Sequence, residues 1–431
     1  MDAITGLLTA PVMPWDALIC PSSTVAESVK GLVDAEISYL KWRFGASFSI
    51  TLPRFSVIPL GVHSADYAIT PYERASARSE LELAEDEVVA LFVGRLSSHA
   101  KAHPHAMYAG LQAAAQRSGK KIVLIQCGWF PNDSVERGFR DLALSTCPDV
   151  RMIFADGRKP VELRMSWNAA DLFISLSDNI QETFGLTPIE AMAAGLPAVV
   201  SDWNGYKDTV RDGVDGFRIP TWMPQSTLGN ILAHRYEAGT ATYDYYCGLS
   251  SHTVSIDMQV LVERLSDLVT DLNLRKQMGQ AGRRRTLELF DWKVVYRKYQ
   301  ELWADLRRVR LEARQDSLQS TLIAQAPKAS PARMNPFHGC AHYPTALIQS
   351  STRVMLNSGT SKIAYLKLAR QPLFRYADLV LPPATLVEEL ITSLREEELA
   401  VQELADLVKV DIDQVLIAVS VLAKMGLLGL R

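Results

Sequence analysis

Short runs of consecutive apolar residues recur through the middle of the chain, and each is followed by a stretch whose apolar positions fall at helical spacing. Val89–Val93, Ile122–Gln126, Val150–Phe154, Leu172–Leu176 and Ala198–Val200 are five such runs. A short uninterrupted apolar run marks a strand covered on both faces, as in a parallel sheet. Met107–Ser118, Val135–Ser145 and Val161–Ala170 carry the helical period between them, and a further helix is expected to open at Pro188 and to stop at Gly195-Leu-Pro197. Strand alternating with helix predicts an α/β domain with a Rossmann-like parallel sheet, which Gly216–Pro220 would close.

The flanks read differently. Asp16–Cys20, Thr24–Phe44 and Phe55–Leu60 form one strand-helix-strand unit, too little to cover both faces of a sheet. Residues 221–255, with Tyr243-Asp-Tyr-Tyr246, carry no pattern that assigns them an element. Val260–Leu272, Arg275–Leu289 and Val294–Arg314 are amphipathic helices, and Gln315–Asn335, with Pro327 and Pro331, has linker composition. Thr385–Arg395, Val401–Val408 and Asp413–Ala423 predict a small, mostly helical C-terminal module resembling a winged helix. Residues 385–431 hold nine acidic and four basic side chains, so a packing or interaction role is expected of the module rather than contact with nucleic-acid phosphates.

Composition narrows the picture only a little. Hydrophobic residues make up 48% of the 431 and charged residues 22%, with a net charge of −3, so no global field favours nucleic acid and any anion site must be local. The five cysteines are scattered, without disulfide or zinc spacing, which suits a cytoplasmic protein. Met1–Cys20 lacks the basic start of a signal peptide, and the apolar run Val415–Leu430 is broken by Lys424 and too short to span a bilayer.

The candidate chemistry gathers in the loop after Leu172–Leu176. At the carboxyl ends of the strands of such a sheet this loop faces a ligand. Glu182 and Glu190 bracket the start of the next helix, whose free N–H groups and partial positive charge suit a phosphate. Thr187-Pro-Ile-Glu190 equally fits a capping box, which would make Glu190 a structural residue. Arg95 directly follows another strand, and its planar fork can hold phosphate oxygens while Lys101 adds a point charge. His99, His103 and His105 cluster locally, but with no carboxylate nearby in sequence and no standard ligand spacing they are expected to serve the loop rather than a metal.

The segment Glu182-Thr-Phe-Gly-Leu-Thr-Pro-Ile-Glu190-Ala-Met-Ala-Ala-Gly-Leu-Pro resembles the Glu, seven residues, Glu motif of glycosyltransferase family four, retaining enzymes of GT-B fold that use nucleotide-sugars. The resemblance extends to Phe92-Val-Gly94-Arg95-Leu96 with Lys101, to Asp202-Trp-Asn-Gly205 through Gly216-Phe, and to Phe290-Asp-Trp292. It implies that Arg95 and Lys101 hold the donor diphosphate and that Glu190 binds ribose hydroxyls. Glu182 would sit by the transferred sugar as the catalytic-region carboxylate. Phe184, Gly185 and Leu186 would offer backbone N–H groups, with Gly94, Ser177, Asn179 and Gly205 as further contacts. No metal or cofactor is expected, because the basic residues supply the charge.

Placed on the family's plan, residues 1–63 are a remnant of the N-terminal acceptor domain, 64–314 the nucleotide-sugar-binding domain with its closing helices, 315–335 a linker and 336–431 the added module. The chain would then hold the C-terminal half of a GT-B fold, truncated within the N-terminal domain. The expected activity is transfer of a sugar from a nucleotide diphosphate-sugar to an acceptor (saccharide, lipid or protein) with retention. The alternative is a nucleotide-sugar-binding or interaction protein that lacks transfer because the acceptor half is incomplete, with a homo-oligomer or partner covering the exposed remnant. A glycoside hydrolase gains nothing from a phosphate cradle, and a nicotinamide enzyme would need the Gly-x-Gly-x-x-Gly turn that Val93-Gly-Arg-Leu lacks.

Overall fold

The computed structural model describes residues 2–45, 50–326 and 335–431, and the chain divides into two compact units, Met1–Thr321 and Leu322–Arg431. In the first unit a parallel pair, β1 (Ala17–Cys20) and β2 (Arg54–Val57), flanks the helix Ser23–Phe44. The main sheet has six strands: β3 (Val88–Val93), β4 (Ile122–Gly128), β5 (Val150–Asp156), β6 (Leu172–Ser175), β7 (Ala198–Ser201) and β8 (Gly216–Ile219). All its pairings are parallel, in the order β5-β4-β3-β6-β7-β8.

The uninterrupted apolar runs are what such a sheet requires. Alternate residues of β3 divide between the two faces: Val88, Ala90 and Phe92 join one core cluster, Val89, Leu91 and Val93 the other. Helices His105–Ser118 and Met258–Thr270 contribute Leu111, Leu261 and Leu265 to the first, and helix Leu186–Ala193 contributes Ile189 and Met192 to the second. The strand order reverses between β3 and β6, because the chain builds outward from β3 to β5 and then returns to β3's other side. That reversal opens a crevice at the carboxyl ends of β3 and β6.

Several boundaries differ from those the pattern predicts. The second strand of the N-terminal unit is Arg54–Val57 rather than Phe55–Leu60, since Pro59 cannot donate to a ladder. The helix expected to open at Pro188 begins at Leu186, and the helix expected from Met107 begins at His105. Residues 221–255, unassigned by pattern, contain helices Asn230–Glu237 and Tyr243–Ser251 between Thr221–Trp222 and Ser255–Ile256, which pair antiparallel. These helices are only eight and nine residues long, so the helical period is too short to register. The chain reaches the sheet domain through Val62, which exchanges backbone hydrogen bonds with Phe290 and Trp292 at 2.8 and 3.1 Å.

Within the stretch read as a linker, Ser317–Gln325 is helical, while Pro327 and Pro331 lie outside the described residues. The second unit holds helices Ala384–Ser393, Val401–Val408 and Ile412–Lys424, and a three-stranded antiparallel sheet in which Arg353–Leu356 lies between Leu399–Ala400 and Leu428–Leu430. Leu390, Leu404, Val415 and Val419 pack with Val354 in its core. Among the described residues no helix is long and apolar enough to cross a membrane.

Candidate functional site

Two loops form the crevice: Gly94–Pro104 after β3, and Leu176–Gly185 after β6. The first leaves the sheet under a tight restraint. A Cβ on Gly128 of the neighbouring β4 would stand 1.9 Å from the Gly94 carbonyl oxygen, so only glycine lets β4 lie against this turn. Arg95 is exposed and lines, with Ala102, His103 and Pro104, a narrow cleft bounded by Gln126 and Leu176.

The second loop is stitched to the first. The Asn179 amide donates to the His99 carbonyl at 2.6 Å and its backbone carbonyl accepts from the Trp203 indole at 3.0 Å. The Ser177 hydroxyl donates to the Lys101 carbonyl at 3.2 Å. Ser177 and Asn179 are fully buried, so these two candidate contacts serve here to hold the loops in register.

Lys101 and Glu182 are brought together in an ion pair, with side chains 21% and 9% exposed. Beneath them Tyr206, fully buried, places its hydroxyl 2.8 Å from Ser175 Oγ and 3.4 Å from Glu182 Oε2. Burial raises the Tyr206 pKa, and the Glu182 charge adds to that, so the phenol stays protonated and donates to the carboxylate. Gly185 completes the arrangement: its φ is +86°, and a Cβ there would lie 2.1 Å from the Tyr206 ring. Gly205, whose added Cβ would meet the Phe184 Cα at 2.3 Å, lets the next loop close over the Thr183–Phe184 backbone.

The capping box suggested by Thr187 and Glu190 does not form. Gly185 occupies the N-cap of helix Leu186–Ala193 without a side-chain cap hydrogen bond, and Thr187 lies inside the helix. The first-turn N–H groups of Leu186 and Thr187 therefore have no intrahelical partner. Glu190 instead meets the Tyr67 hydroxyl; burial raises its pKa, while Tyr67 and the Lys101 charge oppose that rise. Phe184 is core as well as loop, its ring buried 6.2 Å from Phe290.

Sequence reasoning missed Tyr206, Tyr67, Asp178 and Ser22. Ser22 caps helix Ser23–Phe44 by accepting from Val25 N, and its hydroxyl donates to the Thr183 carbonyl at 2.7 Å. Its capping role was readable from Ser22-Ser-Thr-Val, but its reach to Thr183 was not. Asp178 is 6% exposed, and burial pushes its carboxyl up to about 7. Of the three clustered histidines, His103 stands beside His252, with ring centroids 5.4 Å apart, and its pKa is lowered first by burial and then by the neighbouring imidazoles. Among the described residues no three His, Cys, Asp or Glu side chains are placed to hold a metal ion.

Residues 73–229 match the family described as Glycosyl transferases group 1. A D-inositol 3-phosphate glycosyltransferase of Nocardia farcinica is 32% identical over 189 residues, which are 42% of this chain and 40% of that protein. A lipopolysaccharide 1,2-N-acetylglucosaminetransferase of Salmonella typhimurium is 27% identical over 179 residues, 41% of this chain and 46% of that protein. The chain thus spans less than half the length of these curated relatives. Among solved structures, a sucrose-phosphate synthase from Thermosynechococcus elongatus aligns with a TM-score of 0.45 at 21% identity, covering 71% of this chain and 61% of that one. Anabaena HepE in complex with UDP and glucose aligns with a TM-score of 0.45 at 16% identity, covering 67% and 63%.

Proposed function

We propose that the chain transfers a sugar from a nucleoside diphosphate-sugar to an acceptor hydroxyl with retention of configuration. The observation that carries this reading is the crevice where the strand order reverses, at which the loop bearing Arg95 and Lys101 is tied, through the Lys101–Glu182 pair, to the loop leading into the uncapped start of helix Leu186–Ala193. Basic side chains and a helix start at the carboxyl ends of the central strands suit a diphosphate. The group 1 glycosyltransferase match over residues 73–229 gives that anion its chemical setting.

In this reading Arg95 and Lys101 hold the diphosphate, Glu190 takes the ribose hydroxyls, and Glu182 faces the transferred sugar. Lys101 is paired with Glu182; an arriving diphosphate competes for the ammonium and frees the carboxylate toward the sugar. The bond from the anomeric carbon to the diphosphate oxygen breaks and the bond to the acceptor oxygen forms on the same face. The acceptor proton passes to the departing diphosphate, so no protein nucleophile takes part. Arg95 and Lys101 supply the charge that a divalent ion would bring, so donor binding proceeds in chelator. All five cysteines are free and four are buried, which suits a reducing cytoplasm.

Calorimetry with uridine, guanosine and adenosine diphosphate-sugars tests the site: one should bind in the presence of EDTA, and Arg95→Ala should weaken it at least tenfold. If none binds, or Arg95→Ala binds as the parent does, the site assignment fails. Donor binding without product on any acceptor would support the non-transferring alternative.

A further inference from the structure

The second unit is polarised along its sequence. Residues 336–377 contain five basic side chains and no acidic one, whereas residues 378–431 contain ten acidic and four basic. Two of the five are engaged within the unit: Arg353 pairs with Glu403 at 3.2 Å and Lys362 with Glu388 at 2.6 Å. Lys367, Arg370 and Arg375 are exposed and make no ion pair among the described residues.

These three accompany a coil that carries apolar residues outward. Helix Lys362–Ala369 is followed by the turn Pro372–Arg375 and the 3₁₀ turn Asp378–Val380. Along the coil the backbone N–H groups of Phe374, Ala377 and Val380 each donate to the carbonyl three residues earlier. With about three residues per turn, positions 373, 376 and 379 fall on one side. There stand Leu373, Tyr376 and Leu379, 91%, 92% and 95% exposed. The adjacent column brings Arg375 alongside them, with Asp378. Ile363, also exposed, shares the outer stripe of the preceding helix with Lys367 and Arg370. The coil is pinned at its ends, because buried Tyr365 in the helix before it donates its hydroxyl to the Pro382 carbonyl after it.

Large apolar side chains held outward together mark a contact surface. The charge beside them selects an anionic partner, since Asp378 is the one acid between Lys362 and Leu381. The shape selects a lipid one. Side chains more than nine-tenths exposed protrude, and a protein would have to meet them with matching pockets. The boundary between headgroups and acyl chains receives protruding Leu and Tyr side chains in any register, while Arg and Lys reach the lipid phosphates. The acidic half of a second copy fits less well, because its Glu388 and Glu403 are already paired. No helix among the described residues is long and apolar enough to cross a bilayer, so the coil would lie on the surface.

We propose that the coil 371–381, with Lys367 and Arg370 before it, docks the chain on the surface of an anionic lipid bilayer. The coil lies outside residues 73–229, and the proposal does not rest on the function proposed above. Flotation of the intact chain with vesicles of phosphatidylglycerol and phosphatidylcholine, against phosphatidylcholine alone, tests it. The chain should float with the first, bind the second about tenfold more weakly, and be released by salt. Leu373→Ser with Leu379→Ser, and Arg370→Gln with Arg375→Gln, all at exposed positions, should each weaken binding by roughly fivefold or more without changing the melting temperature. Arg95→Ala should bind vesicles as the parent does. Tyr376→Trp should add fluorescence that shifts to the blue on vesicle binding. No flotation, equal binding to both kinds of vesicle, or binding that both double variants retain overturns the proposal. So does a Tyr376→Trp signal that shifts with protein concentration in the absence of lipid, which would make the coil a contact between copies of the chain.

Discussion

Glu182 is held from two sides, by the Lys101 ammonium and by the Tyr206 hydroxyl, and the second contact is the less replaceable. Tyr206→Phe leaves the buried Ser175 hydroxyl without its partner, and the expected loss of stability is about 1–3 kcal/mol in urea denaturation. Gly185→Ala drives a methyl group into the Tyr206 ring at a left-handed backbone position; overpacking of this kind costs roughly 1–3 kcal/mol, and donor affinity should fall with it. Asp178 makes a prediction of pH dependence. Its folded value of about 7 stands above the ordinary 3.8, so between those limits the unfolded chain gives up a proton that the folded chain keeps. The stability that Asp178 contributes is therefore greatest in acid and declines as pH rises from about 4 to 7, by at most on the order of 4 kcal/mol. Asp178→Asn, which cannot titrate, should remove that decline from melting temperatures measured across this range.

At the level of elements, the N-terminal helix is coupled to the site loops by its first turn. Ser22 donates to the Thr183 carbonyl, Asp208 accepts from the Ser23 backbone and hydroxyl at 2.5 and 2.7 Å, and Thr24 donates to the Asn204 carbonyl at 3.2 Å. These bonds fix the loop that follows Glu182 and the one that carries Gly205. Ser22→Ala removes an N-cap, worth typically about 1 kcal/mol, together with the Thr183 contact. Both a lower denaturation midpoint and weaker nucleotide-sugar binding are expected; a loss of stability with unchanged affinity would separate the helix from the site. The helix itself was legible in its periodicity, although Ser22 as its cap went unread. Its partner on the far loop was not legible, since no local pattern links positions 161 residues apart.

The whole molecule divides where its hydrophobic cores divide. The second unit has its own core around Val354, Leu390, Leu404, Val415 and Val419, all fully buried. Residues 336–431 produced alone should accordingly fold, with a cooperative melting transition and a dispersed amide spectrum. Leu404→Ala, which empties part of that core at a cost of about 2–5 kcal/mol, should abolish the transition. In the first unit the N-terminal β1–β2 pair leaves Tyr39, Trp42 and Phe44 of the intervening helix exposed by half or more. The six-stranded sheet beside it buries both faces.

The sequence by itself determined the strands of the main sheet and that both its faces are covered, because an apolar run reports burial wherever its neighbours come from; the short strands at 221–222, 255–256, 353–356, 399–400 and 428–430 it did not mark. It also marked the loops that meet at the crevice, through Arg95 and Lys101 on one and Glu182 on the other. Strand order was decided by the tertiary structure, and with it the reversal between β3 and β6 that makes those loops neighbours. So were the Lys101–Glu182 pair, 81 positions apart, and the Tyr206 hydroxyl beneath it. Where a local pattern made a local promise, tertiary contacts overrode it: Thr187 and Glu190 have the spacing of a capping box, yet the close approach of Tyr206 demands glycine at 185, and Glu190 turns to Tyr67. Spacing along a chain fixes which side chains share a face. Which face packs against which is settled only when distant elements dock, and that docking places the hydrogen-bonding and charged groups of this site.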